Sequence, residues 1–101
     1  MKNGYRLLWS EKATLDLQQI IDYLKESWTE KEIKSFVKRL DKRLNLILIN
    51  PRLFPKTTKR RNIRRSVLTK HITIYYTAFG KSIKVVALFD SRQNPQKLLK
   101  K

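Results

Sequence analysis

Apolar residues recur at two different spacings along the chain, and the change in spacing separates a helical part from a strand part. After a short apolar run at residues 5–9 (YRLLW), apolar positions repeat about every 3.6 residues as far as residue 49, which is typical of amphipathic helices. From Arg61 to Pro95 apolar and polar residues largely alternate, as in half-buried strands. The pattern predicts one strand, two helices and three consecutive antiparallel strands.

Capping residues mark the ends of both predicted helices. Ser10 precedes the first apolar stripe, and Glu11 is favourable in a first helical turn. Thr29 and Glu32 form a capping box at the second start, and the Asn-Pro pair at residues 50–51 ends that helix. Because the turn between the helices is so short, we expect an antiparallel hairpin that lays both apolar stripes on one surface.

The helix stripes separate predicted core residues from predicted solvent residues. The core stripes are Ala13, Leu17, Ile20, Ile21, Leu24 and Trp28, then Ile33, Phe36, Val37, Leu40, Leu44 and Ile47. The polar residues of the first helix, assigned to solvent, are Lys12, Asp16, Gln19, Asp22 and Glu26.

Turn chemistry predicts the register of the three strands. Gly80-Lys81 suits a type II′ hairpin turn, since glycine takes a positive φ readily. The inward pairs are then Ala78 with Ile83, Tyr76 with Val85, Ile74 with Ala87 and Ile72 with Phe89. A turn at Thr69-Lys70 pairs Val67 with Ile72 and Ile63 with Tyr76. That turn also directs Arg65 inward, which requires the side chain to reach out at an edge or a bulge to shift the register.

The opposite sheet face gathers the candidate chemistry. Its predicted members are Arg64, His71, Tyr75, Asp90 and Arg92, framed by a basic loop at residues 52–60. Such a face suits a phosphodiester, and Tyr75 is available to stack on a base. The predicted nucleic-acid-binding residues are Lys56, Lys59, Arg60, Arg61, Arg65 and Lys84.

Length and charge narrow the class of protein. A chain of 101 residues with 41% apolar residues predicts one domain, residues 1–101. Its formal charge is +16, and twelve cations but no acidic residue lie between Asp41 and Asp90. This field attracts RNA, DNA, anionic lipid or an acidic protein; the alternative is the solvated surface of a basic protein.

Several functions are excluded or not supported. Without cysteine there is no disulfide or thiolate chemistry, and one histidine without clustered carboxylates predicts no metal site and no cofactor. Ser66, His71 and Asp90 share the predicted outer face, but no strained nucleophile turn accompanies them. No apolar run suits a signal peptide or a membrane span, which predicts a cytoplasmic protein without a membrane partner.

The order of these features resembles the RelE/ParE superfamily of toxins from type II toxin-antitoxin modules, which includes plasmid stabilisation proteins. The resemblance rests on the first strand, the ALDL-like spacing from Ala13 to Leu17, the helix that ends at residues 50–51, and the stretch IRRSVLTKHITIYY…IKVVALFDSRQNP. It implies an α+β fold in the order β-α-α-β-β-β, with the N-terminal helix hairpin packed on one face of an antiparallel-rich sheet. It also implies a small acidic or amphipathic antitoxin wrapped around the toxin.

The superfamily divides by target. RelE-like toxins cleave mRNA in the ribosome with lysines, arginines and often a C-terminal tyrosine or histidine, whereas ParE-like toxins poison DNA gyrase without such a catalytic group. By position, Lys56 and Lys59 match the loop lysines, Arg64 the strand arginine and Arg92 the arginine after the last strand. The implied catalytic set is Arg64, His71, Tyr75 and Arg92. The tail QKLLKK lacks the tyrosine or histidine, so the expected partners are an antitoxin and either ribosome and mRNA or gyrase.

Alternative roles remain for the same residues. His71 is either a general base oriented by Asp90 or a structural residue that bonds across the strand pair. Arg64 and Arg92 either stabilise a phosphorane-like transition state or bind antitoxin carboxylates. Residues 90–95 form either a functional segment or a cap on the strand end. A third function is a non-toxic, basic RNA-binding module.

Overall fold

The computed structural model describes residues 5–57 and 62–92, and its elements follow the predicted order. They are β1 (Arg6–Trp9), α1 (Glu11–Ser27), α2 (Glu30–Ile49), β2 (Arg64–Val67), β3 (Ile72–Phe79) and β4 (Ser82–Asp90). The sheet order is β1-β4-β3-β2, with β1 parallel to β4 and the other neighbours antiparallel. The predicted α+β fold is confirmed. Residues 96–101, where the tail lacks a candidate base, lie outside the described part.

Both helix starts have the predicted caps. The Ser10 hydroxyl accepts the Ala13 N–H at 2.9 Å. The Glu32 N–H donates to Thr29 Oγ1 at 3.2 Å, and the Thr29 N–H donates to Glu32 Oε1 at 2.9 Å, which completes the capping box. A cap of this kind contributes about 1 kcal/mol to helix stability.

The core lies between the helix hairpin and one sheet face, here called the inner face. Its buried members are Ala13, Ile20, Leu24, Phe36, Leu40, Leu44, Ile47, Leu68, Ile72, Ile74, Tyr76, Ile83, Val85 and Leu88. The helix stripes are confirmed except at Val37, which is exposed. No helix within residues 5–57 combines the length and the apolar character needed to cross a membrane.

The turn between β3 and β4 is as predicted. Phe79 pairs with Ser82, which leaves Gly80 and Lys81 as a two-residue loop. Gly80 has a φ of +57° and no described non-glycine residue has a positive φ, as a type II′ turn requires. The two pairs next to the turn, Ala78 with Ile83 and Tyr76 with Val85, are therefore confirmed.

Farther from the turn the predicted register is wrong. The pairing shifts between Tyr75 and Tyr76, and Val86 becomes the extra residue of a β-bulge. The observed pairs are Ile74 with Leu88 and Ile72 with Asp90, in place of Ala87 and Phe89. Because side chains alternate along a strand, one extra residue turns Leu88 and Asp90 inward. Both are about 5% exposed or less.

The helix hairpin satisfies the backbone groups of this bulge. Ser10 Oγ donates to the Val86 carbonyl at 3.0 Å, and the Leu88 N–H donates to Asp16 Oδ2 at 3.0 Å. Asp16, predicted to face solvent, is instead a structural acceptor whose side chain is 14% exposed. It also pairs with Lys12 at 2.9 Å.

The β2–β3 register is displaced by one residue from the prediction. The observed pairs are Arg64 with Tyr76, Arg65 with Tyr75, Ser66 with Ile74 and Val67 with Thr73, so the predicted pairs of Val67 with Ile72 and Ile63 with Tyr76 are wrong. The Leu68 N–H donates to the Ile72 carbonyl at 2.8 Å, which leaves a three-residue connection at 69–71. Ser66 therefore faces inward, and Arg65 lies exposed on the other, outer face. The predicted inward orientation of Arg65 is therefore wrong, and Arg64 faces inward instead.

Candidate functional site

The structure does not bring the four predicted catalytic residues together. Arg64 lies on the inner face at the sheet edge, and Tyr75 lies on the outer face. His71 is in the connection before β3, and Arg92 follows β4. Arg64 pairs with Tyr76 and Asp90 pairs with Ile72, so the strand positions of Arg64 and Asp90 differ by four residues along β3, about 13 Å, and Arg92 lies beyond the end of β4.

Arg64 holds the loop that follows α2. Its Nη1 atom donates to the Phe54 carbonyl at 2.7 Å, and the neighbouring Tyr76 hydroxyl donates to the Pro51 carbonyl at 2.7 Å. Burial raises the pKa of Tyr76, and the nearby positive charge of Arg64 opposes that rise. The placement of Arg64 on the outer face was therefore wrong, because the displaced register turns its side chain toward this loop.

Arg92 is engaged in what we call the Asp90–Arg92 clamp, made of these two residues with Tyr23 and Trp28. Arg92 Nε and Nη2 donate to the two Asp90 carboxylate oxygens at 3.0 and 2.9 Å. The guanidinium also lies 5.3 Å from the Tyr23 ring centre and 5.7 Å from that of Trp28. The Asp90 side chain is 1% exposed. Hydrogen bonding to Asp90 raises the pKa of Arg92.

The clamp also accounts for the turn after β4. The Arg92 N–H donates to Asp90 Oδ1 at 3.0 Å, which is the intramolecular cap considered for the start of residues 90–95. Residues 93–95 lie outside the described part. The described start of the segment therefore has a structural role.

His71 is not oriented by a carboxylate. The prediction that Asp90 lies beside it on the outer face was wrong, because the bulge turns Asp90 inward to Arg92. The bonds of His71 are made by its main chain: its N–H donates to Thr69 Oγ1 at 3.1 Å, and its carbonyl accepts the Ser91 N–H at 2.9 Å. Its imidazole makes no hydrogen bond to the described residues.

Two predicted nucleic-acid-binding residues share the outer face with Tyr75. Arg65 lies directly opposite Tyr75, and Lys84 pairs with Thr77, two residues along β3. Within the part of the chain that the structure describes, neither cation forms an ion pair. Lys56 is exposed where its loop bridges to β2. Lys59, Arg60 and Arg61 lie outside the described residues.

A further basic surface was missed in the sequence. One side of α2 lines a groove of about 400 Å³, here called the α2 groove. Its lining residues are Ser35, Lys38, Arg39, Lys42, Arg43 and Leu46. The sequence signal for this surface is two pairs of basic residues, each spaced four residues apart: Lys38 with Lys42, and Arg39 with Arg43. Among the described residues no group of three or more histidine, aspartate and glutamate side chains is arranged to hold a metal ion.

The family model that matches the chain describes the ParE toxin of the type II toxin-antitoxin system parDE and covers residues 7–95. A search of curated proteins gives no match. Among solved structures, the chromosomal ParDE system of P. aeruginosa superposes with a TM-score of 0.72 at 15% identity, covering 88% of this chain and 98% of that one.

Two other structures share the fold. The YoeB dimer of Staphylococcus aureus gives a TM-score of 0.61 at 16% identity over 85% of this chain and 95% of that one. The E. coli DinJ-YafQ toxin-antitoxin complex gives 0.58 at 13% identity over 90% and 97%. Together with the family model, which spans most of the sequence, they lead to one conclusion: the chain belongs to the ParE toxin family of type II toxin-antitoxin systems.

Proposed function

We propose that this toxin inhibits growth in the cytoplasm by binding DNA gyrase and that it does so without catalysing a reaction. The observation that carries the proposal is the state of Arg64 and Arg92. Both are needed for the nuclease site implied by the resemblance, and both are engaged inside the fold. Their side chains also point to different partners, Arg64 to the Phe54 carbonyl and Arg92 to the Asp90 carboxylate, so they do not form a preformed clamp on one phosphate.

Releasing Arg92 to a substrate carries a large energetic cost. Its partner Asp90 has a 1% exposed side chain, and breaking a buried ion pair from one side costs about 3–5 kcal/mol. A catalytic cation has to be aimed at the developing charge before the reaction begins. Arg92 instead points at Asp90, which supports a toxin that acts through its surface.

We further propose that a cognate antitoxin neutralises the toxin. The P. aeruginosa structure is of a ParDE toxin-antitoxin system and the E. coli structure is of a toxin-antitoxin complex. The charge of +16 favours a partner with an acidic or amphipathic segment, since complementary charge speeds and orients association.

A second candidate, ribosome-dependent mRNA cleavage, is favoured by the outer face. There Tyr75 and Arg65 are direct cross-strand neighbours, and Lys84 lies two residues along. A tyrosine beside two cations that have no ion-pair partner among residues 5–57 and 62–92 can stack on a base while the cations contact the adjacent phosphates. The substitutions Tyr75→Phe and Arg65→Ala therefore test the nuclease function. Arg64→Ala tests instead whether Arg64 holds the loop that follows α2.

Induction of the toxin in cells separates the two functions. We expect gyrase-linked DNA breaks and an SOS response, with mRNA 5′ ends unchanged, and we expect the Tyr75→Phe chain to be equally toxic. Cleavage at codon positions that is lost in Tyr75→Phe, without DNA breaks, would establish the nuclease instead. Co-expression of the adjacent open reading frame should restore growth if it encodes the antitoxin.

A further inference from the structure

We propose that the α2 groove is a docking site for the sugar-phosphate backbone of duplex DNA. The site is separate from the outer face and from the Asp90–Arg92 clamp, and none of the residues predicted to bind nucleic acid line it. The proposal does not depend on the identity of the toxin's target, because it concerns binding by the toxin alone.

The described part of the protein does not neutralise the charge of the groove. Lys38, Arg39 and Lys42 are exposed, and within residues 5–57 and 62–92 none of them forms an ion pair. Asp41, the carboxylate nearest in sequence, lies on α2 but is not part of the groove lining. Unpaired cations that converge on a concave surface concentrate positive potential there and attract a polyanion.

Arg43 is held in place as one wall of the groove. Its Nη1 atom donates to Ser66 Oγ at 2.7 Å and to the Val67 carbonyl at 2.8 Å. Its guanidinium lies 5.5 Å from the ring centre of Phe54. These contacts use one of the guanidinium nitrogens, so donors on the others remain for a phosphate oxygen while the orientation of the side chain is fixed.

The cations are close enough together to face several phosphates. Lys38, Arg39, Lys42 and Arg43 lie within about 7.5 Å of helix axis. Duplex DNA carries about one negative charge per 1.7 Å of its axis, twice the density of a single strand. The major groove of B-DNA is also wide enough to accept a helix, whereas that of A-form RNA is narrow.

The composition of the lining argues against other occupants. Single-stranded nucleic acids are held on aromatic platforms, and the lining contains no aromatic side chain. A protein segment docks through buried apolar or aromatic anchors, and Leu46 is the single apolar residue of the lining. A rigid backbone of closely spaced phosphates satisfies the cations without needing either feature.

The test measures binding of the purified full chain to a short fluorescent DNA duplex of arbitrary sequence at several salt concentrations. The groove variant is Lys38→Ala/Arg39→Ala/Lys42→Ala, which retains Arg43 and introduces only strong helix formers. The matched control, Lys25→Ala/Lys70→Ala/Lys81→Ala, removes the same charge from exposed positions elsewhere. A third variant, Lys38→Arg/Arg39→Lys/Lys42→Arg, keeps the positive charge at all three positions and exchanges the ammonium and guanidinium groups.

We expect the groove variant to bind duplex DNA at least about tenfold more weakly at low salt, with a salt slope reduced by about 2.7, that is 0.9 for each contact removed. The control and the charge-retaining chain should bind like the wild type. Equal losses in the groove and control variants would overturn the proposal, because net charge alone would then explain binding. Tighter binding of single-stranded RNA, or of a polyglutamate peptide, would equally reject duplex DNA as the occupant.

Discussion

The Asp90–Arg92 clamp and the α2 groove use cations in opposite ways. In the clamp one arginine has two carboxylate oxygens and two aromatic rings as partners, and the carboxylate is buried. In the groove three cations are exposed without an ion pair in the described chain. A charge that is satisfied inside the fold contributes to stability, whereas one left open to solvent is available for binding. The sequence pattern predicts that Arg92 contacts a phosphodiester, and it predicts no function for the residues of the α2 groove.

Removing the clamp arginine should have the largest effect on stability. Arg92→Ala leaves the Asp90 carboxylate buried and unpaired, so we expect the free energy of unfolding to fall by about 3–5 kcal/mol. Urea denaturation measures the change. The double variant Asp90→Asn/Arg92→Met should lose clearly less, because no unpaired charge remains; equal losses would remove the ion pair as the cause. Lys12→Ala, at the exposed end of the Lys12–Asp16 ion pair, should cost less than about 1 kcal/mol.

The acceptor at the β4 bulge should come next. Asp16→Ala removes the partner of the Leu88 N–H, and an unsatisfied buried donor costs about 1–3 kcal/mol. Amide hydrogen exchange at Leu88 should accelerate more than exchange at Ile83, which is paired on the other side of the bulge. Uniform acceleration across β4 would contradict a local role for Asp16.

A smaller, pH-dependent effect is expected at Tyr76. Its pKa is raised in the folded state, so its contribution is fully present below the unfolded value of about 10 and is lost as pH rises through the folded value. Tyr76→Phe should cost about 1–2 kcal/mol at neutral pH, since the Pro51 carbonyl loses its donor. The difference in melting temperature between wild type and variant should shrink above pH 10. A constant difference would contradict the linkage.

The smallest effect on stability belongs to the groove. Lys38→Ala/Arg39→Ala/Lys42→Ala removes exposed side chains without ion pairs in the described part, so the free energy of unfolding should change by no more than about 0.5 kcal/mol per site. Circular dichroism and urea denaturation of this chain check the expectation. A loss as large as that of Arg92→Ala would show that these cations also belong to the fold, and the contrast between the two regions would fail.

Local sequence signals were sufficient to predict the helices and strands and where they begin and end. The Ser10 cap, the capping box of Thr29 and Glu32 and the turn at Gly80 each depend on contacts within a few residues of the chain, and all three are as predicted. The apolar periods likewise identified the helix hairpin and the inward residues Ile72, Ile74 and Tyr76 of β3, because the periodicity of a stripe can be read from one segment at a time.

The candidate site depended on contacts that no local pattern contains. The Val86 bulge is stabilised by Ser10 and Asp16, more than 70 residues earlier in the chain. It decides that Asp90 faces inward to meet Arg92, since one added residue reverses every side chain beyond it. The sequence by itself determined the toxin fold and its excess of positive charge. Only the tertiary structure decided which of the cations stabilise that fold and which remain free, because that depends on partners brought together from distant segments.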